Sequence, residues 1–226
     1  MIIENSSFHN KFNVFIDRYN AGNVLISYIQ DYKFDLLLGI PNGGIPVSIP
    51  ILDSKLIPEF NLLFIRKIQI PWNTEAGFGA ITPDGQVFIN NELVSYYQLD
   101  KSSIKKQAEL AKEAIVKRQH LYNCDDILPK NKKILLIDDG IASGFSMIAG
   151  CHWLRQLGAK EIVIGVPTAP LSSLNRIENQ NIVDLIVCLN IREIYPFAVA
   201  DAYEHWYDIS ESETLSILGK IKNKLS

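Results

Sequence analysis

Residues 134–146 read ILLIDDGIASGFS. The run Ile134 to Ile137 is apolar on both faces and short, so it reads as a buried strand. It ends on two acids, Asp138 and Asp139, and the C-terminal edge of such a strand is where open α/β sheets bind ligands. The residues that follow, Gly140, Ile141, Ala142, Ser143, Gly144, Phe145 and Ser146, are mostly small. A backbone built this way can wrap closely around an anion and turn successive N–H groups toward it. From Ser146 the pattern becomes helical through Met147, Ile148, Cys151, Trp153, Leu154 and Leu157, with Gly158 placed to cap the helix end. A helix N-terminus adds partial positive charge to the cradle. Two carboxylates beside a phosphate would repel it unless they serve hydroxyl groups or a divalent metal. A phosphorylated sugar meets both conditions.

Working outward, four more short apolar runs suit strands: Leu36 to Ile40, Leu62 to Ile65, Ile162 to Val166 and Leu185 to Leu189. Runs apolar on both faces, separated by room for crossovers, imply an open, largely parallel α/β sheet flanked by helices. Pro41-Asn42-Gly43-Gly44 is then a second strand-end loop with glycines that let the backbone approach an anion. Arg66 and Lys67 stand at a third strand end. Lys101 to His120 is rich in Ala, Glu, Lys and Gln without Gly or Pro, which predicts a long surface helix with Asp100 or Ser102 as its cap. Between Asn10 and Asp31, Phe12, Phe15, Ile16, Tyr19, Val24, Leu25 and Tyr28 predict an amphipathic helix or helix pair within an N-terminal segment, residues 1–33. Residues 69–91 hold Pro71, Pro83, Gly77, Gly79 and Gly85 among polar residues, and read as a long loop or hairpin of the lid type. The tail, residues 190–226, gathers Tyr195, Phe197, Tyr203, His205, Trp206 and Tyr207 into a small hood.

Composition narrows the function classes. A chain of 226 residues with 47% hydrophobic content suffices for one domain around one core. The net charge of −3 gives no electrostatic footing for nucleic acid. Cys124, Cys151 and Cys188 lie far apart in no metal-ligand spacing, which suits buried thiols in a reducing compartment. His9, His120, His152 and His205 likewise show no metal spacing. The first ten residues lack the pattern of a signal peptide, and no uncharged stretch reaches the ~20 residues of a membrane helix, so a soluble, cytoplasmic protein is expected.

The segment 134–146 resembles the 5-phosphoribosyl-1-pyrophosphate (PRPP) motif of the type I phosphoribosyltransferases: an apolar strand, two acids and a short Ser-Gly loop. FIDRYNAG, GIPNGGIPV, IRKIQIPWNTEAGFGA and PFAVADAY also resemble a bacterial and archaeal group of that family. The resemblance implies transfer of 5-phosphoribosyl from PRPP to a nitrogenous acceptor, a purine-like base, with release of pyrophosphate. Asp138 and Asp139 would hold the ribose hydroxyls and, indirectly, Mg²⁺, while residues 140–146 take the 5′-phosphate. Asn42, Gly43 and Gly44 would form the pyrophosphate loop, where related enzymes commonly carry Arg in place of Asn42. Arg66 and Lys67 would bear on the leaving group. Hypoxanthine and guanine enzymes place an Asp where this chain has Ala142, so the resemblance is to the adenine and orotate branches, with Glu75 as the candidate acid or base. Phe197 and Tyr203, and after them Trp206, are the candidate aromatic contacts of the base, Asp201 is a candidate contact of Mg²⁺ or the base, and a homodimer is implied. Three rivals stand beside this reading: a phosphorelay receiver, which would want the acidic pair near a domain start, a non-catalytic PRPP-binding regulator, and an enzyme acting on another phosphosugar.

Overall fold

The computed structural model describes residues 1–225, and every side chain among them other than those of Thr74, Glu75, Lys224 and Leu225. Six strands form a parallel sheet: β1 (Ile2–Ile3), β2 (Leu36–Gly39), β3 (Glu59–Leu62), β7 (Lys133–Ile137), β8 (Glu161–Pro170) and β9 (Leu185–Arg192), in the order β1-β9-β8-β7-β2-β3. The expected open, parallel α/β sheet is therefore the observed one. Its interior strands are apolar throughout because both faces are covered. Leu37, Leu135, Ile137, Val163, Val187 and Leu189 pack toward α1 (Arg18–Ile29) and α2 (Gly44–Asp53), against Leu25, Ile29, Val47 and Ile51. Alternate residues Leu36, Leu38, Ile134, Leu136, Ile162 and Ile164 pack toward α5 (Phe145–Gln156) and α6 (Leu171–Glu178), against Met147, Cys151, Leu154, Leu174 and Ile177. Each such side chain contributes ~1.5–3 kcal/mol on burial.

The strand order decides where a ligand can sit. From β2 the chain moves outward to β3, whereas from β7 it moves the other way through β8 to β9. Helix α2 leaves β2 onto one face and α5 leaves β7 onto the other. A crevice must open between the two loops at this point of reversal, at the C-terminal ends of the strands.

The local signals of α4 (Lys101–Tyr122) and α5 act as their chemistry dictates. The Asp100 carboxylate accepts from Ser103 N at 2.7 Å and caps α4. At the end of α5, Gly158 takes φ +85°, its N–H donates to Arg155 O, and Ala159 N–H donates to Leu154 O. That pair of bonds is the Schellman arrangement, which needs a residue free to be left-handed.

Several expectations are corrected. The third strand is Glu59–Leu62, not Leu62 to Ile65: it lies at the sheet edge, so Glu59 and Asn61 break its apolar pattern. Beyond it Leu63 N–H makes one further bond to Gly39 O, and Leu63 and Ile65 run on beside Gly150 of α5. The N-terminal helix is confined to Arg18–Ile29. Before it, Asn10 and Asn13 take φ of 57° and 49°, which a helix cannot include, and the chain pairs with the C-terminal segment instead. Asn13 N–H donates to Asp201 O, Phe15 N–H to Ala202 O and Glu204 N–H to Phe15 O. Of the long loop or hairpin expected over residues 69–91, the hairpin is what forms: they fall largely in a second, antiparallel sheet of β4 (Arg66–Ile70), β5 (Asn73–Ile81) and β6 (Val87–Ile89). Its Ile68, Ile70, Phe78 and Ile81 are buried in one cluster with Ala108, Ala111 and Ile115 of α4, while Phe88 stacks on His152 of α5 at 5.3 Å. Two of its glycines permit close packing, a Cβ at Gly79 meeting Phe88 O at 2.3 Å and one at Gly77 meeting Lys67 Cγ at 2.2 Å, while Gly85 takes φ +92° in the turn between β5 and β6. Two further helices, α3 (Asn91–Tyr96) and α7 (Glu211–Leu225), follow β6 and the hood. Among the described residues no helix is long and apolar enough to cross a membrane.

Candidate functional site

The two loops meet at the reversal point. Gly39 of β2 lies in register with Ile137 of β7, and Ile40 N–H donates to Ile137 O at 2.8 Å. Immediately beyond, the approach is so close that a Cβ at Gly43 would sit 2.0 Å from Asp139 Oδ2. Glycine at 43 is thus required by space and not by torsion, since its φ of −63° suits any residue.

The turn over residues 140–146 is anchored at Ile141 and by two backbone carbonyls. Ile141 is buried and its N–H donates to Thr168 O at 2.9 Å. After it the backbone turns outward: Ala142 and Ser143 are exposed, Ala142 O accepts from Ser173 Oγ at 2.6 Å, and Ser143 O accepts from Arg176 Nη1 at 2.5 Å. Both carbonyls are pinned to α6. Gly144 adopts φ +84° at the head of α5, where no side chain caps the helix. Among the described residues the N–H groups of Ala142 to Met147 have no protein acceptor. Unpaired donors at a helix N-terminus, their carbonyl partners turned away, are what an anion would satisfy.

The acidic pair stands beside this turn. Asp138 Oδ1 accepts from Asp139 N–H at 2.9 Å. Asp139 Oδ2 accepts from Arg18 Nε at 2.8 Å, and Asp139 O accepts from the Tyr203 hydroxyl at 2.5 Å. Burial raises both carboxyls above the usual range. Asp138 goes well above it, pushed further by the charge of Asp139, whereas Arg18 pulls Asp139 back down.

Arg18 is the residue that sequence reasoning passed over. It is 6% exposed, donates also to Tyr207 O from Nη1 at 2.9 Å, and lies 3.8 Å from the centroid of the Trp206 ring. A signal for it existed: Arg18 opens α1 directly after its Asp17 cap, and a cation there opposes the helix dipole, so the side chain must be wanted elsewhere. A cavity of about 360 Å³ lies between these groups, lined among others by Arg18, Asn42, Gly43, Asp139, Trp206 and Asp208.

The remaining expected residues are placed as follows. The Pro41–Asn42 peptide is cis. Gly44 N–H donates to Ile40 O, which leaves the amides of Asn42 and Gly43 without a partner among the described residues. The Asn42 side chain is committed: Nδ2 donates to Ile209 O at 2.9 Å and Oδ1 accepts from the Tyr122 hydroxyl at 3.1 Å. Arg66 and Lys67 open β4; Arg66 is half-buried, and burial with the neighbouring Arg118 holds its pKa below the usual value. The Glu75 side chain lies outside the described residues. Phe197 is half-buried. Tyr203 is 3% exposed, and its ring packs on Phe15 at 5.8 Å and Trp206 at 5.2 Å, so the surface expected to receive a base is occupied. Burial holds its hydroxyl proton well above the usual range. The Asp201 carboxylate accepts from Ala198 N–H at 3.1 Å and closes its own turn. Among the described residues no cluster of three His, Cys, Asp or Glu could hold a metal.

The sequence profile of the phosphoribosyl transferase domain matches residues 87–201, half of the chain. The chain belongs to the phosphoribosyl transferase domain family. The matched stretch carries β7, the acidic pair, the turn at residues 140–146, α5, β8 and β9. A Mycobacterium tuberculosis protein, provisionally named a phosphoribosyl transferase, is 30% identical over 215 residues in strains H37Rv and CDC 1551 alike, a match that takes in 92% of this chain and 47% of the relative. The chain thus spans about half the length of the curated relatives it matches. The crystal structure of TT1426 from Thermus thermophilus aligns with a TM-score of 0.73 at 25% identity, covering 91% of this chain and 98% of that one.

Proposed function

We propose that this chain transfers a 5-phosphoribosyl group from PRPP to a nitrogenous acceptor, a purine-like base, and releases pyrophosphate. The supporting observation is the run of unpaired amides from Ala142 to Met147 beside Asp138 and Asp139 at the reversal point of the sheet. In this reading the 5′-phosphate lies on those amides and the ribose 2′ and 3′ hydroxyls donate to Asp138 and Asp139. Each acid has an oxygen that receives a donor from the chain, Asp138 Oδ1 from Asp139 N–H and Asp139 Oδ2 from Arg18 Nε, which holds both carboxyls in place for that task. The amides of Asn42 and Gly43 face the diphosphate, and Arg66 and Lys67 stabilise it as it leaves. The C1–O bond breaks with its electron pair going to pyrophosphate, a C1–N bond forms to the acceptor, and the acceptor's proton passes to Glu75.

Mg²⁺ belongs to this reading as the cofactor. Two carboxylates, one already paired with Arg18, are too few for a protein cage but fit an ion held mostly by phosphate oxygens and water. When bound it would neutralise charge on the diphosphate. On the acceptor side Phe197 and Trp206 stay as the aromatic contacts, and Asp208 joins them because it lines the cavity with Trp206. Tyr203 and Asp201 become supports of the Asp139 backbone and of the hood turn. A cytoplasmic homodimer is part of the same reading, by family resemblance.

A PRPP-binding regulator is the second reading, favoured by one observation: Asn42 brings no charge to its loop and its side chain is tied to Tyr122 and Ile209. Calorimetric titration with PRPP and Mg²⁺, joined to pyrophosphate release over a panel of purines, pyrimidines and small amines, separates the two. Turnover with one acceptor is expected. Binding without turnover would make the regulator the answer, and an Asp138→Asn, Asp139→Asn chain that bound PRPP like the wild type would end the ribose assignment.

A further inference from the structure

We infer that Arg18 is a positioning residue for the sugar: from a seat built by the C-terminal hood, it fixes the Asp139 carboxylate in the orientation that receives a ribose hydroxyl. The inference rests on the reading of Asp139 as a ribose contact and adds to it a residue from the other end of the chain. Arg18 stands 121 positions before Asp139 and 189 before Tyr207, yet it touches both. A buried guanidinium is costly unless each of its donors and its face find partners. Here Nε donates to Asp139 Oδ2, Nη1 to Tyr207 O, and the planar group lies on Trp206. Those last two contacts fix the guanidinium independently of Asp139.

A carboxylate rotates easily about its last torsion, so an unheld Asp139 would present either oxygen in many directions. The Arg18 bond takes Oδ2 and so sets how the carboxylate lies beside the Asn42–Gly43 loop and the cavity. The hood grips the same residue at its backbone, where the Tyr203 hydroxyl donates to Asp139 O. Backbone and side chain of one acid are thus both set by hood residues, the side chain through Arg18. An ion pair kept only for stability would have no need of a second, independent clamp on its cation.

The test is calorimetric titration of the full chain with ribose 5-phosphate and, separately, with inorganic pyrophosphate. In Arg18→Met, ribose 5-phosphate should bind about 10- to 100-fold more weakly, the scale of an ångström-sized misplacement, while pyrophosphate stays within about twofold. Arg18→Lys should recover part of the loss, because an ammonium can meet Asp139 but cannot also bridge to Tyr207 O and lie flat on Trp206. Trp206→Leu, which keeps the charge and loosens its seat, should shift ribose 5-phosphate in the same direction. Unchanged ribose 5-phosphate binding in a folded Arg18→Met, or parallel loss of both ligands with a falling melting temperature, would overturn the inference. Should Arg18→Met fail to fold, unchanged ribose 5-phosphate binding in Arg18→Lys would overturn it equally. A wild-type chain that bound neither ligand would overturn the sugar-phosphate reading, and this inference with it.

Discussion

Replacing Gly43 with alanine tests the contact between the two strand-end loops with a single methyl group. The backbone at Gly43 has φ −63° and ψ −37°, so alanine requires no new torsion. The new Cβ would lie 2.0 Å from Asp139 Oδ2 and 2.2 Å from its Cγ, whereas ordinary contact begins at 3.4 Å. The carboxylate must therefore retreat by about 1.4 Å, the difference between those distances. Arg18 cannot follow freely, being held by Tyr207 O and Trp206, so its 2.8 Å bond to Asp139 is stretched or broken. A displacement of this size at a binding group is worth about 100-fold, roughly 2.8 kcal/mol. Titration of Gly43→Ala with ribose 5-phosphate should show that loss. The strain on the ion pair should lower stability by about 1–2 kcal/mol, a fall in Tm of roughly 2–8 °C by scanning calorimetry. Ribose 5-phosphate binding within about twofold of wild type, in a folded Gly43→Ala, would refute the reasoning, because the methyl group would then have found room without moving Asp139.

Other outcomes follow from separate parts of the molecule. Asp100→Ala removes the side-chain cap of α4, the 2.7 Å bond from Ser103 N, and should lower the midpoint of urea denaturation while ligand binding stays unchanged. Burial pushes the Cys124 thiol up to about 11, so at pH 8 its thiolate fraction is about one in a thousand, against about one in four for an unfolded thiol of pKa about 8.5. Alkylation by iodoacetamide should be about 100-fold slower at Cys124 in the native chain than in urea, rising with pH. Because the folded pKa is the higher one, the protonated thiol's contribution is fully present below about 8.5 and is lost as pH climbs toward 11; a Cys124→Ser chain should lack that part of the alkaline fall in stability.

What could be read from the sequence was whatever its own neighbours enforce. The run from Ile134 to Gly158 specifies strand, acidic pair, small-residue turn, helix and left-handed cap in order, because each step depends on residues within one or two turns. Asp100 and the helix after it were readable for the same reason, as were the interior strands, whose two buried faces leave no polar alternation. Tertiary structure alone decided what depends on neighbours distant in the chain. The edge strand Glu59–Leu62 has one flank unpaired and tolerates polar residues, so its pattern dissolves. The glycines of β5 suit a loop as well as a hairpin, and only the approach of β4 and β6 gives them a role in a sheet. Tyr203 reads as a free aromatic until Phe15 and Trp206 cover it and Asp139 takes its hydroxyl. Setting β2 beside β7, and Arg18 against Asp139, are long-range events, because the groups that satisfy one another there are about a hundred residues apart and nothing local encodes their meeting.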